Sequence, residues 1–174
     1  MRTEPSGFRE FVVARSPALL RTAWMLTGDQ AAAEDLLQTA LARTWPHWAR
    51  IADGQPDAYV RKVMVRVNAN WRARRWNQET PTPDADLHHQ RHHTPDENDP
   101  ARLDDRLIVL KALMTLPVRQ RQVVVLRFFD DLSVDAVADV MGCSTGTVKS
   151  QSAKGLTKLR QALEATEPDR TSTR

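Results

Sequence analysis

The side chains with the clearest chemistry in this sequence are the arginines and lysines of residues 61–76. Six basic residues lie there without a single Asp or Glu, and Tyr59, Trp71 and Trp76 are interleaved with them. Guanidinium groups bind phosphates and aromatic faces stack on unpaired bases, so this combination is typical of surfaces that hold single-stranded nucleic acid. The alternative is that the basic side chains only face solvent and that the tryptophans belong to the core. It stays open because Trp71 is in register with the apolar positions of the segment.

A second basic segment without acidic residues lies between positions 145 and 161. It follows a shorter apolar segment, and each of the two begins at a serine that can cap a helix, Ser133 and Ser144, with Gly142 between them. Two short capped helices joined at a glycine predict a helix-turn-helix, whose second helix enters a major groove. The apolar period of that helix turns outward Lys149, Ser150 and Lys154. An ordinary helical hairpin in a core is the alternative.

One cluster in the sequence contains potential metal ligands, namely His88, His89, His92 and His93. His-x-x-x-His spacing can bind a transition metal on a helix. Residues 80–100, however, contain four prolines and one large apolar residue, which predicts an unstructured linker. The single cysteine, Cys143, excludes an internal disulfide and a four-cysteine zinc site. No nucleophile with a partnered carboxylate and no Gly-rich phosphate loop is evident, so we expect no metal, no cofactor and no enzymatic activity.

Length, composition and charge narrow the class of protein. A chain of 174 residues with 41% hydrophobic and 27% charged residues is typical of one or two small globular domains. The formal net charge is only +3, but it is segregated, because eight acidic residues follow the basic segment between positions 77 and 105. The N-terminus has no apolar signal segment, and no run approaches the roughly eighteen apolar residues of a membrane span. We therefore expect a cytoplasmic protein that does not enter a membrane.

Apolar residues recur at helical spacing in both halves of the chain, which predicts an all-α fold. The first stripe begins at Phe8 and is interrupted at Pro17, where we expect a second helix to start. Another helix follows the cap residue Asp29 and is expected to end or kink at Pro46, and the basic segment belongs to a helix that opens at Pro56. The predicted buried face of that helix consists of Val60, Val63, Met64, Val67 and Trp71.

Four further helices are predicted after the linker. One begins near Leu103 and ends at Pro117, a second reaches Asp130, and the two of the helix-turn-helix follow. The predicted fold is therefore two small helical domains joined by a flexible linker. The expected boundaries are 1–76 and 103–165 for the domains, 77–102 for the acidic Pro/His-rich linker and 166–174 for a disordered tail.

With both halves in view, the chain resembles bacterial extracytoplasmic-function sigma factors, the minimal two-domain form of the promoter-recognition subunit of RNA polymerase. The family's second conserved region is similar to residues 19–41, LLRTAWMLTGDQAAAEDLLQTAL. Its fourth region is similar to residues 116–150, LPVRQRQVVVLRFFDDLSVDAVADVMGCSTGTVKS. Within the family, the N-terminal half resembles the SigE-like branch.

The resemblance implies roles for three sets of residues. Docking on the β′ clamp helices of core RNA polymerase would use Asp35, Gln38, Leu41, Ala42 and Arg43. Recognition and melting of the minus-ten promoter element would use Arg61, Lys62, Arg66, Asn68, Asn70, Trp71, Arg72 and Arg75. Insertion into the major groove at the minus-thirty-five element would use Thr145, Thr147, Lys149, Ser150, Gln151 and Lys154.

Promoter DNA and core RNA polymerase, contacted through its β′ clamp helices and β flap, are the partners that the resemblance implies. The sequence leaves open whether an anti-sigma factor is a further partner. Such a protein acts by binding and not by catalysis. Two alternatives remain from the residues themselves: a helix-turn-helix regulator that binds duplex DNA as a dimer, and a metal-dependent enzyme built on the histidine cluster.

Overall fold

The computed structural model describes residues 5–78 and 100–166, which are helical apart from short connections. The helices are α1 (Phe8–Thr27), α2 (Gln30–Thr44), α3 (Trp48–Ile51), α4 (Pro56–Gln78), α5 (Pro100–Met114), α6 (Val118–Val124), α7 (Val134–Met141) and α8 (Thr145–Thr166). A 3-10 turn, Trp45–His47, joins α2 to α3, and a π-helical turn, Val125–Phe129, extends α6. No strand occurs within the two described ranges, in agreement with the predicted all-α fold.

α1 is one continuous helix, so the predicted restart at Pro17 is wrong. A proline inside a helix removes the hydrogen bond to the carbonyl four residues earlier, which here is that of Val13. Val13 is 73% exposed and Pro17 is exposed as well, so water can replace the lost bond on this face. The buried residues Leu19, Ala23 and Leu26 lie on another face of the helix. The proline is therefore tolerated where it does not interrupt the core.

The turn between α1 and α2 places Asp29 at the predicted cap position of α2. Gly28 ends α1 with a φ of 79°, in the left-handed region that favours glycine. The Asp29 carboxylate accepts a hydrogen bond from the backbone N–H of Ala32 at 2.8 Å, which caps the start of α2. α2 ends at Thr44, two residues before Pro46, as expected from the proline.

The predicted helix-turn-helix is confirmed in α7 and α8. Ser133 Oγ accepts a hydrogen bond from the backbone N–H of Ala136, and Ser144 Oγ accepts one from that of Thr147, both at 3.1 Å. Gly142 has a φ of 63°, so it occupies the left-handed position that ends α7. Both caps and the turn are therefore made by the serines and the glycine that the sequence indicated.

The hydrophobic core is shared by the N-terminal unit, α1 to α4, and the C-terminal unit, α5 to α8. Leu113, Leu116, Val124 and Val125 of the C-terminal unit belong to one buried cluster with core residues of α1, α2 and α4. A second cluster joins Val65 of α4 to residues of α6, α7 and α8. α4 therefore lies between the rest of its own unit and the C-terminal unit, and this position decides the environment of every candidate residue on it.

Several expectations concern residues outside the described ranges. The histidine cluster and nearly all of the linker lie between positions 78 and 100, and the tail lies beyond 166, so the predicted domain boundaries stay predictions. Within the described residues, no group of three His, Cys, Asp or Glu side chains is placed to hold a metal ion. None of the helices in that part of the chain combines the length and the apolar composition that a membrane span requires.

Candidate nucleic-acid interfaces

α4 presents three faces, and the first packs into the N-terminal core. Val60, Met64 and Val67 are fully buried there, as predicted. Trp71 follows on the same face and packs against that cluster while half-buried. Its packing agrees with the alternative considered for this tryptophan, and stacking on an unpaired base stays a prediction.

The second face of α4 is covered by the C-terminal unit. Its residues follow one another at helical spacing and are Arg61, Val65, Asn68 and Arg72. Arg61 is 6% exposed and Asn68 is 3% exposed, although both were predicted to contact the minus-ten element. In this arrangement of the two units, DNA does not reach either side chain.

Asp130, at the end of the π-helical turn, binds two residues of the N-terminal unit. Arg61 Nε donates a hydrogen bond to Asp130 Oδ2 at 2.9 Å, and the Thr22 hydroxyl donates one to Asp130 Oδ1 at 2.7 Å. Arg61 Nη1 also forms an ion pair with Asp57, which in turn accepts a hydrogen bond from Arg15 Nε at 2.8 Å. The carboxylate of the C-terminal unit thus completes a network of alternating charges on the N-terminal unit.

Gln122 makes a second polar contact between the units. Its side chain is 2% exposed, and Nε2 donates hydrogen bonds to the Val65 carbonyl at 3.0 Å and to Asn68 Oδ1 at 3.1 Å. An amide nitrogen carries two donors, so α4 satisfies both. Because all of these polar atoms are buried, separation of the units would have to replace both bonds by bonds to water.

Arg121 is a buried cation whose guanidinium binds backbone carbonyls of both units. It is 2% exposed and donates hydrogen bonds to the carbonyls of Leu113 at 2.9 Å, Leu26 at 2.9 Å and Leu116 at 3.0 Å. The first two carbonyls lie in the last turns of α5 and α1, at the negative ends of the helix dipoles. Burial, and to a smaller extent repulsion by Arg72, lowers the pKa of Arg121 to about 10. The guanidinium therefore stays charged at neutral pH.

The third face of α4 is open to solvent and keeps part of the predicted basic surface. Arg66 and Asn70 are exposed, and Lys62 is half-buried. Arg72 lies at the border of this face, half-buried against the end of α5. Arg75 lies on the same helix, but its side chain is outside the described part of the structure. The predicted minus-ten residues are therefore split between a covered face and an open one.

The predicted minus-thirty-five residues lie on the N-terminal half of α8. The exposed ones are Thr145, Lys149, Ser150 and Lys154, and the half-buried ones are Thr147 and Gln151. The Thr147 hydroxyl lies 2.9 Å from Ser144 Oγ, so it is part of the helix cap. On the opposite side, a Cβ added at Gly155 would lie 2.7 Å from Val124 Cγ2. Glycine is therefore required where α8 approaches α6, and this packing turns the basic side of α8 to solvent.

The predicted polymerase-docking residues lie on the outward face of α2. Asp35, Gln38, Ala42 and Arg43 are exposed, and Leu41 is half-buried. The inward residues Ala33, Leu36 and Ala40 are fully buried, and they belong to one cluster with core residues of α1 and α4. This surface thus stays open while the C-terminal unit covers one face of α4.

Sequence reasoning missed the polar residues that join the two units. Arg121 and Gln122 each precede a buried residue, Val125 and Leu126, by four positions, so helical spacing places them on the buried side of their helix. Polar residues at core positions are the signal that could have found them. Val65 offers a second signal, because it is an apolar residue on the basic side of α4.

Comparison with known families identifies two conserved regions in the chain. Residues 11–78 match the family described as Sigma-70 region 2, and residues 112–161 match that described as Sigma-70, region 4. The first match spans α1 to α4 and therefore contains the basic aromatic helix. The second begins near the end of α5 and contains the helix-turn-helix.

Full-length relatives carry sigma factor names. The chain is 40% identical over 166 residues to the RNA polymerase sigma-E factor of Streptomyces antibioticus, and the alignment covers 93% of this chain and 87% of that protein. It is 32% identical over 170 residues to the ECF RNA polymerase sigma factor SigL of Mycobacterium tuberculosis, and that alignment covers 92% of this chain and 91% of SigL. Both alignments include the N-terminal and the C-terminal unit.

Two solved structures have a similar fold. The sigma factor RpoE, in complex with the anti-sigma factor NepR from Bartonella quintana, has a TM-score of 0.70 at 22% identity and covers 92% of this chain and 98% of its own. CnrH, in complex with the cytosolic domain of CnrY, has a TM-score of 0.60 at 21% identity and covers 91% of this chain and 88% of its own. At these identities the likeness bears on the fold alone.

Family membership rests on the two matched regions and on the full-length relatives. The first matched region contains the basic aromatic helix, and the second contains the helix-turn-helix. The chain therefore belongs to the sigma-70 family as an extracytoplasmic-function sigma factor, a subunit that directs core RNA polymerase to specific promoters and initiates transcription.

Proposed function

We propose that three surfaces of this sigma factor have separate roles in promoter recognition. α4 binds and melts the minus-ten element, the N-terminal half of α8 reads the minus-thirty-five element, and the outward face of α2 docks on the β′ clamp helices of core polymerase. The observation that carries the proposal is the presence of two separate basic surfaces in one chain of this family. One lies on a helix with tryptophans, and the other lies on the second helix of a helix-turn-helix.

On α8, the side chains divide into phosphate-binding and base-reading groups. Lys149 and Lys154 are exposed point charges, which suit the sugar-phosphate backbone on either side of the groove. Thr145, Ser150 and Gln151 carry groups that donate and accept hydrogen bonds, as base edges in the major groove require. The N-terminus of the helix would add backbone N–H groups to the phosphate contacts.

On α4, the proposed chemistry is capture of the unpaired strand. Melting costs about 1.4 kcal/mol per stacked step, and stacking of an extruded base on an aromatic ring returns about 1–3 kcal/mol. Trp71 is half-buried, so part of its ring is available for such a contact, and Arg66 and Asn70 precede it on the same helix as exposed polar groups. Melting several base pairs exceeds what these groups supply, so we expect the free chain to bind promoter DNA weakly and to depend on core polymerase.

The remaining partners follow from the same role. The C-terminal unit contacts the β flap of the polymerase, and the chain works in the cytoplasm, where the polymerase and the chromosome are. It contributes binding energy and catalyses no reaction itself. An anti-sigma factor is a further proposed partner, because RpoE, which shares the fold, was solved in complex with the anti-sigma factor NepR.

In vitro transcription with core polymerase on genomic DNA, followed by mapping of the start sites, tests the proposal. Arg66→Ala with Asn70→Ala should abolish initiation while co-purification with core polymerase is retained. Both residues are exposed, so this pair leaves the core intact, whereas Trp71→Ala would also remove packing. Lys111→Ala, an exposed lysine on α5, is the control and should initiate normally. Tight, sequence-specific duplex binding by the free chain, without core polymerase, would instead favour a conventional dimeric regulator.

A further inference from the structure

We propose that the open groove between α6 and α8 binds a backbone phosphate of promoter DNA beside the minus-thirty-five element, through Lys158 and Gln120. The groove has a volume of about 470 Å³ and is lined by Gln120 of α6 and by Ala153, Lys154, Thr157, Lys158 and Gln161 of α8. Lys154 is the only member of this set with a role in the function proposed above. The site rests on that proposed role of α8 and extends the DNA contact from the helix-turn-helix onto α6.

The groove carries a positive charge that neither of its helices compensates. Lys154 and Lys158 are exposed one turn apart on α8, and neither forms an ion pair within the described residues. α6 contains no Asp or Glu, and α8 contains none before Glu164. Like charges four residues apart on a helix repel each other. An anion bound between the two lysines would relieve this repulsion.

Gln120 adds a polar group that has no partner in the protein. Its Oε1 atom is buried and has no hydrogen-bond partner among the described residues. α8 comes close at this point, because a Cβ added at Gly155 would lie 3.3 Å from the Gln120 carbonyl oxygen. An ammonium group has three donors, so Lys158 can bind both Oε1 and a phosphate oxygen, and the two N–H donors of the amide suit a phosphate as well. A bound phosphate would therefore bring the amide and the lysine into one hydrogen-bonded set.

The position of the groove along α8 favours DNA as the source of the phosphate. Ser150 and Gln151 are the side chains proposed to read base edges. At 1.5 Å per residue, Lys158 lies about 12 Å beyond Ser150 along the helix axis. The major groove is only about 8.5 Å deep, so a side chain at that distance from the base-reading turn lies outside it. The groups that duplex DNA presents there are its phosphates.

Replacement of single phosphates in the DNA tests this proposal. Core polymerase carrying the full sigma chain is bound to duplex promoter fragments in which phosphates beside the minus-thirty-five element are replaced, one at a time, by uncharged methylphosphonates. We expect one such linkage to weaken binding by the unmodified protein about fivefold, as for one charged pair near a surface. Lys158→Gln should weaken binding to unmodified DNA by a similar factor, reduce the slope of affinity against salt by about 1, and make binding insensitive to that linkage.

The matched control for Lys158 is Arg160→Gln. Arg160 is an exposed cation two residues farther along α8, and it does not line the groove. This variant should stay as sensitive to the methylphosphonate linkage as the unmodified protein. Equal loss of sensitivity in both variants would contradict a site at the groove, because it would show that the linkage responds to the total charge of the helix.

Gln120→Glu tests the contribution of α6. The exchange keeps the size of the side chain and places a negative charge on the wall of the groove. We expect promoter binding to weaken about tenfold at low salt and to recover at high salt, because the repulsion of the phosphate is screened. Lys111→Glu is the control, since it changes the charge by two units at an exposed position of α5 and should leave binding unchanged. Co-purification with core polymerase and thermal denaturation show that each variant is folded and docked.

The outcomes separate this site from the proposed function. Unchanged binding by Lys158→Gln, with weaker binding by Lys149→Ala, would overturn the phosphate site and leave the reading of the minus-thirty-five element by α8 intact. If neither variant weakened binding, the proposed role of α8 would fall together with the site. Loss of initiation by Lys158→Gln at unchanged DNA affinity would indicate an acidic protein as the occupant. Thermal stabilisation by millimolar pyrophosphate that Lys158→Gln abolishes, again at unchanged DNA affinity, would indicate a free phosphate ester. Either result would overturn DNA as the ligand.

Discussion

Replacement of Arg121 tests whether a buried cation bound to carbonyls stabilises this fold. Three of its hydrogen bonds, to Leu113, Leu26 and Leu116, are fully buried. Loss of the guanidinium leaves those carbonyls unpaired, at about 1–3 kcal/mol each. The change also removes a buried charge, whose unfavourable desolvation lowers the pKa of Arg121 to about 10 and offsets part of this loss. We therefore expect a net loss of about 3 kcal/mol in the free energy of unfolding, at the lower end of the range for breaking a buried polar network.

Thermal denaturation of Arg121→Met measures this loss. Methionine keeps most of the apolar stem, so the change isolates the guanidinium. For a chain of this size, about 3 kcal/mol corresponds to a fall of about 6–12 °C in Tm. Arg121→Lys keeps the charge but loses the planar fork of donors, so we expect a smaller fall of about half that size.

The control for this series is Arg119→Ala, two residues earlier on the same helix. Arg119 is exposed, so its replacement should change the free energy of unfolding by no more than about 0.5 kcal/mol. If Arg121→Met were as stable as Arg119→Ala, the carbonyl contacts of Arg121 would contribute nothing net. Arg121 would then have to be explained by something other than stability.

Three further predictions use matched variants. Gly155→Ala places a Cβ 2.7 Å from a methyl group of α6 and should lower the free energy of unfolding by about 1–2 kcal/mol. Gly146→Ala, whose new Cβ would lie 3.8 Å from Ser144 Oγ, should raise it by up to about 1 kcal/mol, and thermal denaturation measures both. Lys149→Ala should weaken binding of the polymerase-bound protein to duplex promoter DNA and reduce the slope of affinity against salt by about 1, while Lys111→Ala changes neither. Asp35→Arg should lower the affinity for core polymerase by about tenfold, whereas the charge reversal Lys111→Glu should not, and equal retention of both would exclude the outward face of α2 as the docking surface.

Helix ends were predictable from the sequence because caps act over a few residues. Ser133, Gly142 and Ser144 satisfy backbone groups of their own helices, so their roles follow from local order alone. Pro17 was misjudged for the complementary reason. Whether a proline interrupts a helix depends on which side of the helix meets water, and that is fixed by the packing of the whole chain.

The sequence by itself determined the two basic helices, the helix-turn-helix and the family. Each of these follows from local features, namely the spacing of apolar residues, the positions of charged residues and short motifs. Only the tertiary structure decided that Arg61 and Asn68 lie beneath the C-terminal unit. Their partners Asp130 and Gln122 are 69 and 54 residues away along the chain. An arginine or an asparagine on the polar side of a helix suits a phosphate, a base or a buried side chain equally well, so local pattern predicts a polar face but not the group that covers it.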